Sequence, residues 1–125
     1  MCGIAGLVAR DGGPVNRLAL ERMIVAMAHR GPDGQGVQVG PGIGLGHLRL
    51  SILDPSEAGA QPMARDGNVL IHNGEVYNYR ELADVLRLDG GIITTGTDTE
   101  VILGAYRAWG LDFAQHFNGM FALAI

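Results

Sequence analysis

Met1-Cys2-Gly3-Ile4-Ala5-Gly6-Leu7-Val8-Ala9 opens the chain, and two properties of this stretch constrain both fold and chemistry. Residues 3–9 predict a short buried strand, with Cys2, Ile4, Gly6 and Val8 on one of its faces. Cys2 is the single cysteine among 125 residues, and its small side chain suits aminopeptidase removal of Met1. One residue would then carry both a thiol and an α-amine. Those groups ordinarily titrate near ~8.5 and ~7.7–8.0, so an attacking group and a general base would sit together around neutral pH. The competing reading is a small buried hydrophobe whose position is incidental. The rest of the sequence decides between them.

Working outward, Asn16 is an N-cap for a helix in which Leu20, Met23, Ile24 and Met27 form a buried stripe at helical spacing. His29-Arg30-Gly31-Pro32-Asp33-Gly34 then reads as a turn cluster. Two strands follow around 36–39 and 43–53, separated by Gly40-Pro41-Gly42. In the second, Leu45, His47, Arg49 and Ser51 share one face and Leu48, Leu50 and Ile52 the other. A polar loop runs through Ala60-Gln61-Pro62. A strand at 69–72 ends in Asn73-Gly74, the strongest short hairpin signal. Tyr77, Asn78 and Tyr79 read as packing and capping residues before a helix over 80–88 that buries Leu82, Val85 and Leu86. A further helix starts at Thr97, where Thr97 and Glu100 have capping-box spacing, and stops at Gly110. Met120–Ile125 predicts a last strand. An apolar strand that finishes with the chain suggests a piece of something longer. This alternation of helices and hairpin-type strands argues for an α+β domain with sheet faces covered by helices.

Bulk properties narrow the class. The length suits one domain, 1–125, with a modest core. A net charge of −4 without a basic run disfavours nucleic-acid and anionic-membrane partners. No apolar run reaches ~18 residues, so no membrane helix is expected. A lone cysteine and no secretory signal point to the cytoplasm. The four histidines at 29, 47, 72 and 116 lack paired ligand spacing, so no metal site is expected. The glycine-rich stretch 40–46 has neither the dinucleotide spacing nor a Walker-type lysine.

Met1-Cys2-Gly3-Ile4, His29-Arg30-Gly31-Pro32-Asp33-Gly34, Arg49-Leu50-Ser51-Ile52-Leu53-Asp54, Asn73-Gly74-Glu75-Val76-Tyr77-Asn78 and Thr97-Asp98-Thr99-Glu100 occur in one order. Together they resemble the glutamine amidotransferase domain of glutamine-hydrolysing asparagine synthetases, a class of N-terminal-nucleophile hydrolase. The resemblance spans the chain, including Gly59-Ala60-Gln61-Pro62 and Gly119-Met120-Phe121-Ala122. It implies a four-layer αββα sandwich of two antiparallel sheets, here expected to be incomplete at the C-terminus. It also implies hydrolysis of the glutamine amide, a glutaminase activity. The ammonia would go to a separate ligase domain, absent here, that uses ATP and Mg to amidate aspartate in asparagine biosynthesis. No cofactor is expected in this chain.

The resemblance assigns roles residue by residue. Cys2 is the nucleophile, and Asn73 and Gly74 form the oxyanion hole, where one donor is worth ~2.7–4 kcal/mol. Arg49 grips the substrate α-carboxylate, since a guanidinium fork suits a carboxylate. Asp98 receives the α-ammonium, assisted by Glu75, and Leu50 and Ile52 line the pocket through backbone groups. Ordinary alternatives stand beside these: a polar strand position for Arg49, a helix-dipole acid for Asp98, core packing for Leu50 and Ile52. Two further alternatives are an inert glutamine-binding or structural fragment and an amidotransferase half serving another acceptor. An open sheet edge would also suit pairing with a second copy.

Overall fold

A computed structural model describes residues 2–125; the expected removal of Met1 concerns a residue outside them. β1 (Gly3–Val8), β2 (Gly34–Gly40) and β3 (Ile43–Arg49) make one antiparallel sheet in the order β1-β3-β2. β4 (Met63–Arg65), β5 (Asn68–Val76) and β6 (Gly119–Ala124) make a second, with β5 central. The sheets face one another through β1, β3 and β5. Helix α1 (Arg17–Ala26) covers the outer face of the first sheet. Helix α3 (Asp98–Trp109) lies on the second, with α2 (Tyr79–Leu88) packed on α3. This is the α+β, four-layer arrangement expected.

Pleat alternation explains the layering. Along β3, Gly44, Gly46 and Leu48 face α1, and Leu45, His47 and Arg49 face the second sheet. Glycines on the helix side let α1 approach closely, so Leu20 and Ile24 are fully buried against the sheet with Ala5 and Leu48. Burying two such side chains stabilises the layer by about 1.5–3 kcal/mol each. Asn16 caps α1 as expected, its Oδ1 accepting the N–H of Ala19 at 3.1 Å. The larger core lies between the second sheet and α2 and α3, built from Leu70, Val76, Leu82, Leu86, Ile102 and Phe113.

Several expectations need correction. Met23 is 38% exposed and Val85 44%; each sits at the edge of its helix's apolar stripe, where the covering sheet or helix no longer reaches. β3 stops at Arg49 instead of running to residue 53, because the chain bends away there and Ser51 donates its N–H to Asp33 Oδ2 at 2.8 Å. Ser51 therefore does not continue the face of β3, and Ile52 is 62% exposed rather than packed with Leu48. Asn73-Gly74 is not a turn. It lies inside β5, where Asn73 pairs with Ala122 and Gly74 with Phe121. At Gly74 φ is +142° and the backbone of β6 comes so close that no Cβ would fit. The glycine serves a close strand approach, not a reversal. The actual hairpin turn is Asp66-Gly67, between β4 and β5, with both residues at positive φ. Asn78 makes no side-chain cap for α2; it bridges to the main chain of His116 and Asn118 instead. Tyr77 is exposed and outside the core. The capping box at α3 is half formed. Thr97 Oγ1 accepts the N–H of Glu100 at 3.2 Å, but the Glu100 carboxylate reaches back past it to the N–H groups of Thr94 and Thr95.

Candidate active site

Between the start of strand β1, the loop after β3, the middle of β5 and the first turn of α3 lies a cleft of about 100 Å³. Cys2, Arg49, Leu50, Ile52, Gly74, Glu75 and Asp98 all line it. Four stretches far apart in sequence thus converge on one small space. Asn73, which precedes Gly74 on β5, is not among the residues that line the cleft. Its Oδ1 is buried without a hydrogen-bond partner among the described residues.

The cysteine is held from two sides. Arg30 donates from Nε to the Cys2 carbonyl at 3.0 Å, and the Leu50 N–H donates to Cys2 Sγ at 3.4 Å. Leu50 thus meets the cleft through its backbone, at the sulfur itself. The turn cluster at 29–34 explains its own composition here. Gly31 packs on the backbone of Leu48 and Arg49 where no Cβ would fit. Asp33 donates its N–H to the Arg49 carbonyl and accepts from Ser51. This cluster braces both the sulfur and the segment bearing Arg49.

Arg49 turns its guanidinium toward the following loop, where Nη1 donates to the Ser56 carbonyl at 2.7 Å and Nη2 to the Asp54 carbonyl. The guanidinium also lines the cleft, where its planar fork of donors suits an anion. Gly59 lets this loop lie against the guanidinium without a side chain in the way.

Across the cleft Asp98 is the first residue of α3 and is buried. Its Oδ2 accepts the Val76 N–H at 3.0 Å and lies 4.0 Å from His72 Nδ1. This first-turn carboxylate is thus held against β5 and lines the cleft instead of facing solvent. Burial first, and the negative charge of Asp98 second, raise the proton affinity of Glu75 above the ordinary carboxylate value. Two carboxylates crowded in this way favour a cation between them.

His72 lines the floor of the cleft, and His47 is hydrogen-bonded to its main chain. His47 Nε2 meets the His72 carbonyl at 3.2 Å, so that nitrogen carries the proton. Burial lowers the His47 pKa to about 4 and also lowers that of His72, against the opposing pull of Asp98. Both imidazoles are neutral at neutral pH. Among the described residues no three His, Cys, Asp or Glu side chains cluster to hold a metal ion, and no helix is long and apolar enough to cross a membrane. Sequence reasoning missed His72, Gln61, Thr97 and Thr99 as cleft residues. Gln61 and Thr99 belong to the stretches that carry the family resemblance, but nothing in their spacing shows that they meet.

The family model for the glutamine amidotransferase domain matches residues 1–125. A protein of Methanocaldococcus jannaschii, provisionally named asparagine synthetase (glutamine-hydrolyzing) 2, is 42% identical over all of this chain and 27% of its own length. Asparagine synthetase (glutamine-hydrolyzing) 3 of Bacillus subtilis is 38% identical over all of this chain and 21% of its own length. The chain thus spans about a fifth to a quarter of these relatives. Among solved structures, the glutamine phosphoribosylpyrophosphate amidotransferase of B. subtilis, complexed with ADP and GMP, shares the fold. Its TM-score is 0.78 at 19% identity, covering 96% of this chain and 34% of that one.

Proposed function

The chain belongs to the glutamine amidotransferase domain family, and we propose that it hydrolyses the side-chain amide of glutamine with Cys2 as nucleophile. One observation carries the reading: Cys2 shares one cleft with the guanidinium of Arg49 and the carboxylates of Glu75 and Asp98. Free glutamine presents the matching groups, an α-carboxylate for Arg49 and an α-ammonium for Asp98 and Glu75.

The α-amine of Cys2, exposed by loss of Met1, takes the thiol proton as Sγ attacks the amide carbon. The carbonyl electron pair moves onto oxygen. The family resemblance gives that oxyanion two donors, the Asn73 side-chain amide and the Gly74 N–H. On collapse the C–N bond breaks, the amine returns its proton to nitrogen, and ammonia leaves a thioester behind. Water, deprotonated by the same amine, attacks the thioester and releases glutamate and the thiol. This chemistry needs no cofactor from the chain.

In a longer parent protein the ammonia would feed a separate synthetase domain that uses ATP to amidate aspartate; relatives of this chain carry the name asparagine synthetase (glutamine-hydrolyzing). A thiol nucleophile suits the reducing cytoplasm. Glutamate formation from glutamine, measured with Met1 removed, tests the hydrolysis. Cys2→Ser should lower the rate by about 10³-fold or more, because the serine oxygen is far less nucleophilic than sulfur near neutral pH. Glutamine binding by calorimetry with no ammonia released would favour the inert-module alternative. Equal rates for both proteins would remove Cys2 from the chemistry.

A further inference from the structure

Gln61 lies opposite His72 in the β4–β5 register, which pairs Met63 with Leu70. A continuing ladder would place its main chain there. Instead the main-chain carbonyl of Gln61 packs on Gly36 of β2, in the other sheet, where no Cβ would fit. Its side chain takes over the ladder position. Oε1 accepts the His72 N–H at 2.6 Å, and Nε2 donates to Thr99 Oγ1 at 3.2 Å. Gln61 is only 8% exposed and Thr99 4%, so both bonds are shielded from water.

The two anchors are immediate neighbours of the groups that would grip substrate. His72 precedes Asn73 and Gly74, and Thr99 follows Asp98. We propose that Gln61 is a positioning residue that fixes the distance between the oxyanion strand and the helix turn bearing Asp98, and thereby makes the site select amides that carry an α-ammonium group. This rests on the glutamine-hydrolysis reading above. The physical basis is that one buried amide spans strand and helix with both ends satisfied, so the two can shift relative to each other only by breaking a buried hydrogen bond. A displacement of about 1 Å in a positioning group is enough to cost orders of magnitude in rate.

The test compares L-glutamine with glutaramic acid, the same amide without the α-amine, in wild-type protein, Gln61→Met and Thr99→Val. Circular dichroism and thermal melts establish that each variant is folded. Gln61→Met should raise KM for L-glutamine about tenfold or more with a smaller change in kcat, and lower kcat/KM for glutaramic acid by a several-fold smaller factor than for L-glutamine. The wild-type preference for the amine-bearing substrate then collapses. Thr99→Val severs only the helix end of the bridge and should show the same selective loss, which settles the matter if Gln61→Met does not fold. Equal losses on both substrates in the folded variants would show a merely structural role and overturn the proposal, as would unchanged preference. Failure of the wild type to hydrolyse either amide would instead defeat the underlying reading, and this inference with it.

Discussion

At the residue scale, Arg49 does two jobs with one planar group. It holds the loop carbonyls of Asp54 and Ser56, and in the proposed mechanism its other N–H groups would take the substrate carboxylate. A lysine supplies one compact charge and cannot serve several directions at once. Arg49→Lys should therefore raise KM for glutamine about tenfold or more with kcat less affected, as checked by steady-state kinetics. The chemistry of Cys2, Arg49 and Asp98 as residue types was legible in sequence only through the company they keep. No spacing rule says that positions 2, 49, 75 and 98 meet. The meeting is produced by strand register, and register depends on contacts between segments far apart in the chain.

At the scale of elements, helix starts at Asn16 and Thr97 and the stop at Gly110 were readable, because capping chemistry is local. The strands were readable where turns were unambiguous and misread where a glycine had a second use. Asn73-Gly74 carries the sequence signature of a reversal, yet the strand continues because β6 supplies pairing partners from beyond α2 and α3. Asp66-Gly67, the true reversal, follows a strand too short to announce itself. Its Gly67 sits at φ +81° with open space where a Cβ would go. Gly67→Ala should therefore cost about 1–2 kcal/mol through backbone strain alone, read as a lower denaturant midpoint with an unchanged slope. A loss much beyond that would mean that the turn carries packing absent from the present contacts.

For the whole molecule, the two imidazoles between the sheets tie stability to pH. His47 titrates at about 4 in the folded protein and at an ordinary 6.5 when unfolded, and His72 is shifted in the same direction. The unfolded chain therefore binds more protons across this interval, and stability falls as pH drops from 6.5 toward 4. The His47 contribution is on the order of 3 kcal/mol. Glu100, whose backbone and hydroxyl donors from Thr94 and Thr95 hold its carboxyl below the ordinary value against burial, adds a loss in the same direction at lower pH. Glu75 opposes both, since its raised proton affinity makes protonation favour the fold. Melting temperatures across about pH 4–7 should fall toward the acid end, and His47→Gln should flatten that fall; an equally steep profile in the variant would assign the effect elsewhere. The layered architecture follows from the α+β pattern. The polar seam between the layers, where His47, His72 and Gln61 link two sheets and a helix, could not be read from any one segment.

The most direct measurement is the mass and peptide map of the processed protein after exposure to an electrophilic glutamine mimic that keeps the α-carboxylate and α-amine. One adduct on Cys2, blocked by excess L-glutamine and absent in Cys2→Ser, is the predicted result. A folded protein lacking Met1 whose cysteine stays unmodified, or reacts at a rate indifferent to glutamine, would contradict the account.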